Sequence, residues 1–261
     1  MKLAMSGSGV KYPLHLGGYK ALIESGIEID EMSGVSGGAI VAGLLGSGYS
    51  PDEAIELARR LMPSNFIDGS IFNLKSYGYI KGDLFEREFE KYMAPTLGDT
   101  TIPLNIGVVS VHDKTSYFFN SYAHPNVSLP AIIRASMSIP FVFVPKTING
   151  ITYIDGGVGN NMPIDLFEPS DAIGFRVLGD DEKPRKPDSF KQFVTATISA
   201  LMDAADRRHI QNYDRVINLK SATNNLNFWV TEEDFDRMIE EGYGKVRSIA
   251  KDLIQKDSIS R

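Results

Sequence analysis

The sequence predicts a single α/β domain, and three features carry that reading. A short apolar strand, Lys2 to Met5, opens directly into the loop Ser6-Gly7-Ser8-Gly9-Val10-Lys11 and then into a helix from Pro13 to Ser25. A second strand-to-helix junction holds Gly34-Val35-Ser36-Gly37-Gly38, between Ile29-Asp30-Glu31-Met32 and the apolar run Ala39 to Leu45. Further along, Leu104 to Val111 is the near-continuous apolar run of a central strand buried on both faces. With 261 residues, 43% hydrophobic and 23% charged, the chain is long enough to bury one full core.

The elements follow in order. Pro13 at a first helical position and Gly26 past the last turn bracket the first helix, and its Gly17, Gly18 and Ala21 predict a close approach to the sheet. Ser50-Pro51-Asp52-Glu53 is a capping box that starts a helix reaching about Leu61. Phe66 to Ile80 has no clean period and reads as an irregular cover over the core, with a substrate-facing or membrane-touching lid as the other reading. Asp83 with Glu86 is expected to cap a helix through Met93.

Ser116 to Asn120 reads as a shorter neighbour of the central strand, and Leu129 to Ser136 as a helix ended by Ile139-Pro140. Phe141 to Ile148 and Ile151 to Ile154 are β-rich runs separated only by Asn149-Gly150, the pair that a type I′ hairpin prefers. Asp171 to Val177 and Arg215 to Leu219 are the last strands, and Gly179 to Pro187 a solvated mobile loop. Thr231 with Asp234 caps a C-terminal helical extension, 231–256. Its stripe of Phe235, Met238, Ile239, Tyr243, Val246, Ile249, Leu253 and Ile254 reads as core packing.

Composition narrows the function classes. A net charge of -6 argues against a nucleic-acid partner, which needs a basic field, but leaves room for peripheral contact with a membrane through apolar groups. With no cysteine there is no disulfide, thiol nucleophile or thiolate metal ligand, and the four histidines lack paired ligand spacing, so no metal or cofactor is expected. The N-terminus reaches Ser6-Gly7 too soon for a signal peptide, and Ala39 to Leu45 is too short to span a bilayer; the expectation is a cytoplasmic protein.

The chemistry centres on the two glycine-rich turns. A Gly-x-Ser-x-Gly between strand and helix forces a tight turn that pushes the Ser36 hydroxyl out, while the N–H groups and dipole of the following helix point at it. Three glycines and a serine also occur in ordinary loops. The first loop invites a dinucleotide reading, with Asp30 near the place of a ribose acid, but Tyr12 occupies the third glycine position and no phosphate loop occurs. Backbone N–H groups beside a helix N-terminus serve equally as an oxyanion hole. Asp155-Gly156-Gly157 ends the hairpin's second strand, where an aspartate either closes a turn or projects a carboxylate into a cleft. A Ser-His-Asp triad would need His209, which lies in a strongly charged helix and reads as a solvated residue.

Taken together, the loop Ser6 to Lys11, the elbow Gly34 to Gly38, Arg134-Ala135-Ser136-Met137-Ser138-Ile139-Pro140 and Asp155-Gly156-Gly157 leading to Asn160-Asn161-Met162-Pro163 resemble the patatin-like phospholipase family, in the family's order and over about residues 2 to 178. The resemblance implies a mostly parallel central sheet sandwiched by helices and Ca²⁺-independent hydrolysis of acyl esters in lipids or phospholipids. It implies Ser36 as nucleophile and Asp155 as base, a dyad without histidine, in an enclosed site that raises the Asp155 pKa above its usual 3.9 or so. The oxyanion donors would be the N–H groups of Gly7, Ser8, Gly9 and Gly37, with Gly34, Gly38, Gly156 and Gly157 in support and Lys11 holding the loop. The family usually has glycine where Ser8 and Tyr12 stand. A serine resists positive φ, so a remodelled hole, and a catalytically impaired lipid- or protein-binding module, is the alternative reading.

Overall fold

The computed structural model describes residues 1–62, 69, 75–178, 187–222 and 229–259. In chain order these form β1 (Lys2–Met5), α1 (Pro13–Glu24), β2 (Glu31–Gly34), α2 (Gly37–Gly46), α3 (Pro51–Arg60), β3 (Gly78–Ile80) and α4 (Asp83–Tyr92). There follow β4 (Leu104–Ser110), β5 (Thr115–Asn120), α5 (Leu129–Ser136), β6 (Phe141–Phe143), β7 (Lys146–Ile148) and β8 (Ile151–Asp155). The last are β9 (Ala172–Val177), α6 (Phe190–His209), β10 (Val216–Leu219) and α7 (Glu232–Ile259). Most of the expected cover at 66–80 and of the loop at 179–187 lies outside the described residues. Among those described, no helix is long and apolar enough to cross a membrane.

The main sheet is mixed and mostly parallel, flanked by helices. Strands β10, β9, β1, β2 and β4 run parallel in that order, while β5, β8 and β7 are antiparallel to their neighbours. Strand β4 organises the rest. One of its edges is covered by β5 from Asn105 to Ser110. Its other edge is shared: β2 pairs with Leu104 to Ile106, up to Gly34, and β8 pairs with Val108 to Ser110, down to Asp155. Two strands of opposite direction therefore end head-on at Gly107, and Leu104, Ile106 and Val108 are fully buried beneath them.

The Asn149-Gly150 turn takes positive φ at both residues, 51° and 81°, and joins β7 to β8 as its sequence predicts. The run Phe141 to Ile148 is not one strand, however. Its first part, β6, leaves the sheet to pair in parallel with β3, and the break falls at Val144-Pro145. Proline has no N–H for a ladder, and the Val144 N–H and carbonyl are taken by Ile80 and Arg134 instead. The cap expected from Asp83 is also absent: Gly82, at φ 75°, precedes α4, and Asp83 is the first helical residue. A Cβ at Gly82 would lie 2.3 Å from Nε of the buried Arg134, so this corner is shaped by the arginine rather than by a capping side chain.

Helix α7 buries Phe235, Met238, Val246 and Leu253, the expected stripe, largely against α1; the Ile254 side chain lies outside the description. Thr231 and Asp234 cap it reciprocally, at 3.1 and 3.4 Å. Gly18 faces the sheet as anticipated, since a Cβ there would meet the Phe175 ring at 2.9 Å. Gly17 does not. A Cβ at Gly17 would stand 2.0 Å from the Ile239 carbonyl oxygen, and one at Gly242 2.2 Å from that of Leu14, so backbone approaches backbone between α1 and α7. Gly17→Ala and Gly242→Ala should each lower stability by about 1–3 kcal/mol in urea titration. Gly244→Ala, with nothing within 4 Å, should be neutral or stabilising by roughly 0.5–1 kcal/mol. Equal effects at the three positions would contradict this close packing.

Candidate active site

The strand β2 delivers Ser36 to the centre of the β4 edge. Ser36 has φ 52° and ψ -120°, a conformation that costs a non-glycine residue about 1–3 kcal/mol, and it is nearly buried. The glycines around it have a steric reason. A Cβ at Gly34 would sit 2.6 Å from the Gly38 carbonyl oxygen, and one at Gly38 2.4 Å from that of Met5. The strained turn is clamped from the motif at 134–140: the Ser36 N–H donates to Ser136 Oγ at 2.9 Å, and that hydroxyl donates to the Gly107 carbonyl at 2.6 Å. Arg134, itself buried, donates to Ser138 Oγ at 2.7 Å and to the carbonyls of Val144 and Lys81, fixing the segment that carries Ser136.

Asp155 arrives from the opposite direction as the last residue of β8. It is fully buried, and a Cβ at the next residue, Gly156, would lie 2.3 Å from the Gly107 carbonyl oxygen, so only glycine lets the chain turn there. Its Oδ1 accepts the Gly157 N–H at 2.8 Å. Oδ2 has no partner of ordinary hydrogen-bond geometry among the described residues, although the Ser36 hydroxyl is near enough to favour the carboxylate. Burial dominates these influences and pushes the Asp155 pKa up to about 7, against the smaller lowering by Gly157 and Ser36.

The third component is the loop after β1. Gly9 takes the positive φ, 53°, whereas Ser8 has φ -142° and Tyr12 a helical φ of -54°. The positive φ on which the alternative of a remodelled hole rests falls on Gly9 and on neither Ser8 nor Tyr12. Tyr12 is buried and donates its hydroxyl to the Ala58 carbonyl at 2.8 Å. Lys11 is buried and donates to the Ser221 carbonyl at 3.1 Å, tying the loop to the chain beyond β10. His15 donates Nε2–H to the Ser6 carbonyl at 2.9 Å, and burial pushes its pKa down to about 4, so it is neutral.

Of the four anticipated oxyanion donors, Gly7 is corrected: its N–H donates to the Asn161 carbonyl at 3.0 Å and is already engaged. The N–H groups of Ser8, Gly9 and Gly37 have no acceptor among the described residues, and Gly37 opens α2, whose first N–H groups lack intrahelical partners. His209 is not a lone solvated residue. Its Nδ1 pairs with Asp165 at 2.7 Å, so it is engaged away from the Asp155 carboxylate.

Ser36 sits where two recesses meet. One is apolar, lined by Val10, Tyr12, Ile40, Leu61, Phe85 and Phe143; the other is mixed, lined by Ser8, Asn161, Ile198, Ser199, Met202 and Asp203. Sequence reasoning missed Ser136 and Asn161 as working residues, although both lie in stretches it quoted. It also missed the α6 side chains, for which the sequence held no signal beyond a helix-compatible run.

The patatin-like phospholipase family matches residues 3–168. The chain is 31% identical over 240 residues to the uncharacterized protein YqhO of Bacillus subtilis, covering 78% of this chain and 81% of that one. It is 31% identical over 171 residues to the neuropathy target esterase sws of Drosophila melanogaster, covering 63% of this chain but only 12% of the esterase. Among solved structures, VipD from Legionella pneumophila superposes with a TM-score of 0.62 at 17% identity, over 96% of this chain and 66% of VipD. Several curated relatives are much longer; the chain spans 61% of the mimivirus protein R571 and 27% of a Mycobacterium tuberculosis NTE family protein. The chain belongs to the patatin-like phospholipase family.

Proposed function

We propose that this protein is a lipid acyl hydrolase that cleaves carboxylic esters of lipids or phospholipids through a Ser36 nucleophile and an Asp155 general base. The observation that carries the reading is the approach of Ser36 to a buried carboxylate whose Oδ2 has no other partner among the described residues. In the first step Ser36 Oγ attacks the ester carbonyl carbon while its proton passes to Asp155; the carbonyl electron pair moves onto oxygen beside the N–H groups of Gly9 and Gly37. Collapse of this intermediate expels the alcohol, which takes the proton from Asp155, and leaves an acyl-enzyme. Asp155 then removes a proton from water as it attacks the acyl carbon, and collapse of that second intermediate releases the acid while Ser36 Oγ takes the proton back from Asp155.

The two recesses suit the two halves of such a substrate. The apolar side offers an acyl chain contact with Ile40, Phe85 and Phe143, and the mixed side offers an alcohol or headgroup the polar atoms of Asn161, Ser199 and Asp203. A carboxylate with a pKa near 7 is also a better base than an exposed one, because proton transfer to it is less uphill. The negative φ of Ser8 and of Tyr12 supports the hydrolase reading over that of an impaired binding module, since neither residue takes the conformation that resists a side chain.

A fluorophosphonate probe should label the wild-type protein at Ser36 and leave Ser36→Ala unlabelled; equal labelling of both, or of neither, would sink the assignment. Turnover of a soluble ester should rise with pH around an apparent pKa near 7, as Asp155 loses its proton, and Asp155→Asn should abolish it. Retained turnover in that variant would give the role of base to another group. Stability should move the other way. The folded pKa lies above the unfolded value of about 3.9, so the contribution of neutral Asp155 is complete below about pH 4 and lost as pH rises through about 7. Asp155→Asn should flatten this window and stabilise the fold at pH 8 by about 4 kcal/mol in chemical denaturation.

A further inference from the structure

We propose that the side-chain hydroxyl of Ser8 is a further oxyanion donor, acting on the substrate beside the N–H groups of Gly9 and Gly37. The inference rests on the hydrolase reading above and adds a residue that its backbone machinery does not require. Ser8 is 2% exposed, and its Oγ has no hydrogen-bond partner among the described residues. A buried hydroxyl left unpaired is costly, and nothing in the local backbone forces it there, since φ at Ser8 is an unstrained -142°.

Its surroundings specify what it serves. Ser8, Gly9 and Ser36 line one recess. A Cβ built on Gly37 would lie 2.3 Å from Ser8 Oγ, 2.8 Å from the Gly9 carbonyl oxygen and 3.3 Å from the Gly9 nitrogen, so the hydroxyl stands directly against the residue that follows the nucleophile. That residue opens α2, where the helix end is positive and an anion is favoured. When Ser36 Oγ bonds to the ester carbon, the carbonyl electron pair moves to oxygen and the Ser36 proton goes to Asp155. Ser8 Oγ–H then donates a hydrogen bond to that oxygen, without transferring its proton, until collapse restores the carbonyl and expels the alcohol.

The test compares wild type, Ser8→Ala and Ser8→Gly, measuring p-nitrophenyl butyrate turnover, the second-order rate of fluorophosphonate labelling, and Tm. Both variants keep the backbone N–H. Both should lower kcat by about 10- to 100-fold with KM within about twofold, and slow labelling by a similar factor, because the phosphonyl oxygen takes the oxyanion's place. Tm should be unchanged or higher in Ser8→Ala, since an unpaired buried hydroxyl has been removed. A kcat within about twofold of wild type in both variants, or a loss that follows a fall in Tm, overturns the role of Ser8 while leaving the hydrolase reading standing. A wild-type protein that is neither labelled nor active overturns both.

Discussion

One edge of β4 accepts two strands that run toward each other, and the rest of the molecule depends on that meeting. Because β2 and β8 both stop short of Gly107, neither closes the hydrogen-bond ladder there, and the two chain turns that follow them face each other across a single residue. One turn carries Ser36 and the other carries Asp155. The absence of a side chain at Gly107 is part of the arrangement, because a Cβ there would strike Val35 at 2.7 Å, and its carbonyl anchors Ser136. A hydroxyl and a carboxylate far apart in the chain are thus held by sheet register rather than by flexible loops, the placement that the proposed pair would need to keep its geometry.

Around that point the structure manages two local penalties. The positive φ of Ser36 is held by the Ser136 hydroxyl, whose own position is fixed through Gly107 and the segment that Arg134 secures. The burial of Asp155 without an ionic partner raises its pKa, so the carboxyl keeps its proton more readily and gains basicity where it faces Ser36. Strain and desolvation at a site are sustained only when the surroundings over-determine them, and β4, buried at every residue but Val109, supplies that rigidity.

Much of this was legible in the chain. The elbow, the Asp-Gly-Gly turn and the Asn149-Gly150 hairpin are local chemistry: glycine is demanded where backbone meets backbone, and neighbouring residues report it. The capping boxes at Ser50 and Thr231 were equally local. The misreadings have a common source. Gly17 answers to α7, more than two hundred residues away, and Gly82 to Arg134, so no window around either residue discloses its partner. The engaged N–H of Gly7 likewise depends on the distant carbonyl of Asn161, and the paired state of His209 on Asp165.

By itself, then, the sequence determined the α/β class and the order of most elements, because periodicity and glycine punctuation are properties of short stretches, while the roles proposed for Ser36 and Asp155 came with the resemblance of four ordered motifs to one family. Tertiary structure alone decided that β2 and β8 share one edge of β4, which N–H groups remain open to a ligand, and that Asp155 is buried deeply enough to titrate near neutrality. Each of these depends on strand register and desolvation, which arise only when distant segments exclude water from the same place.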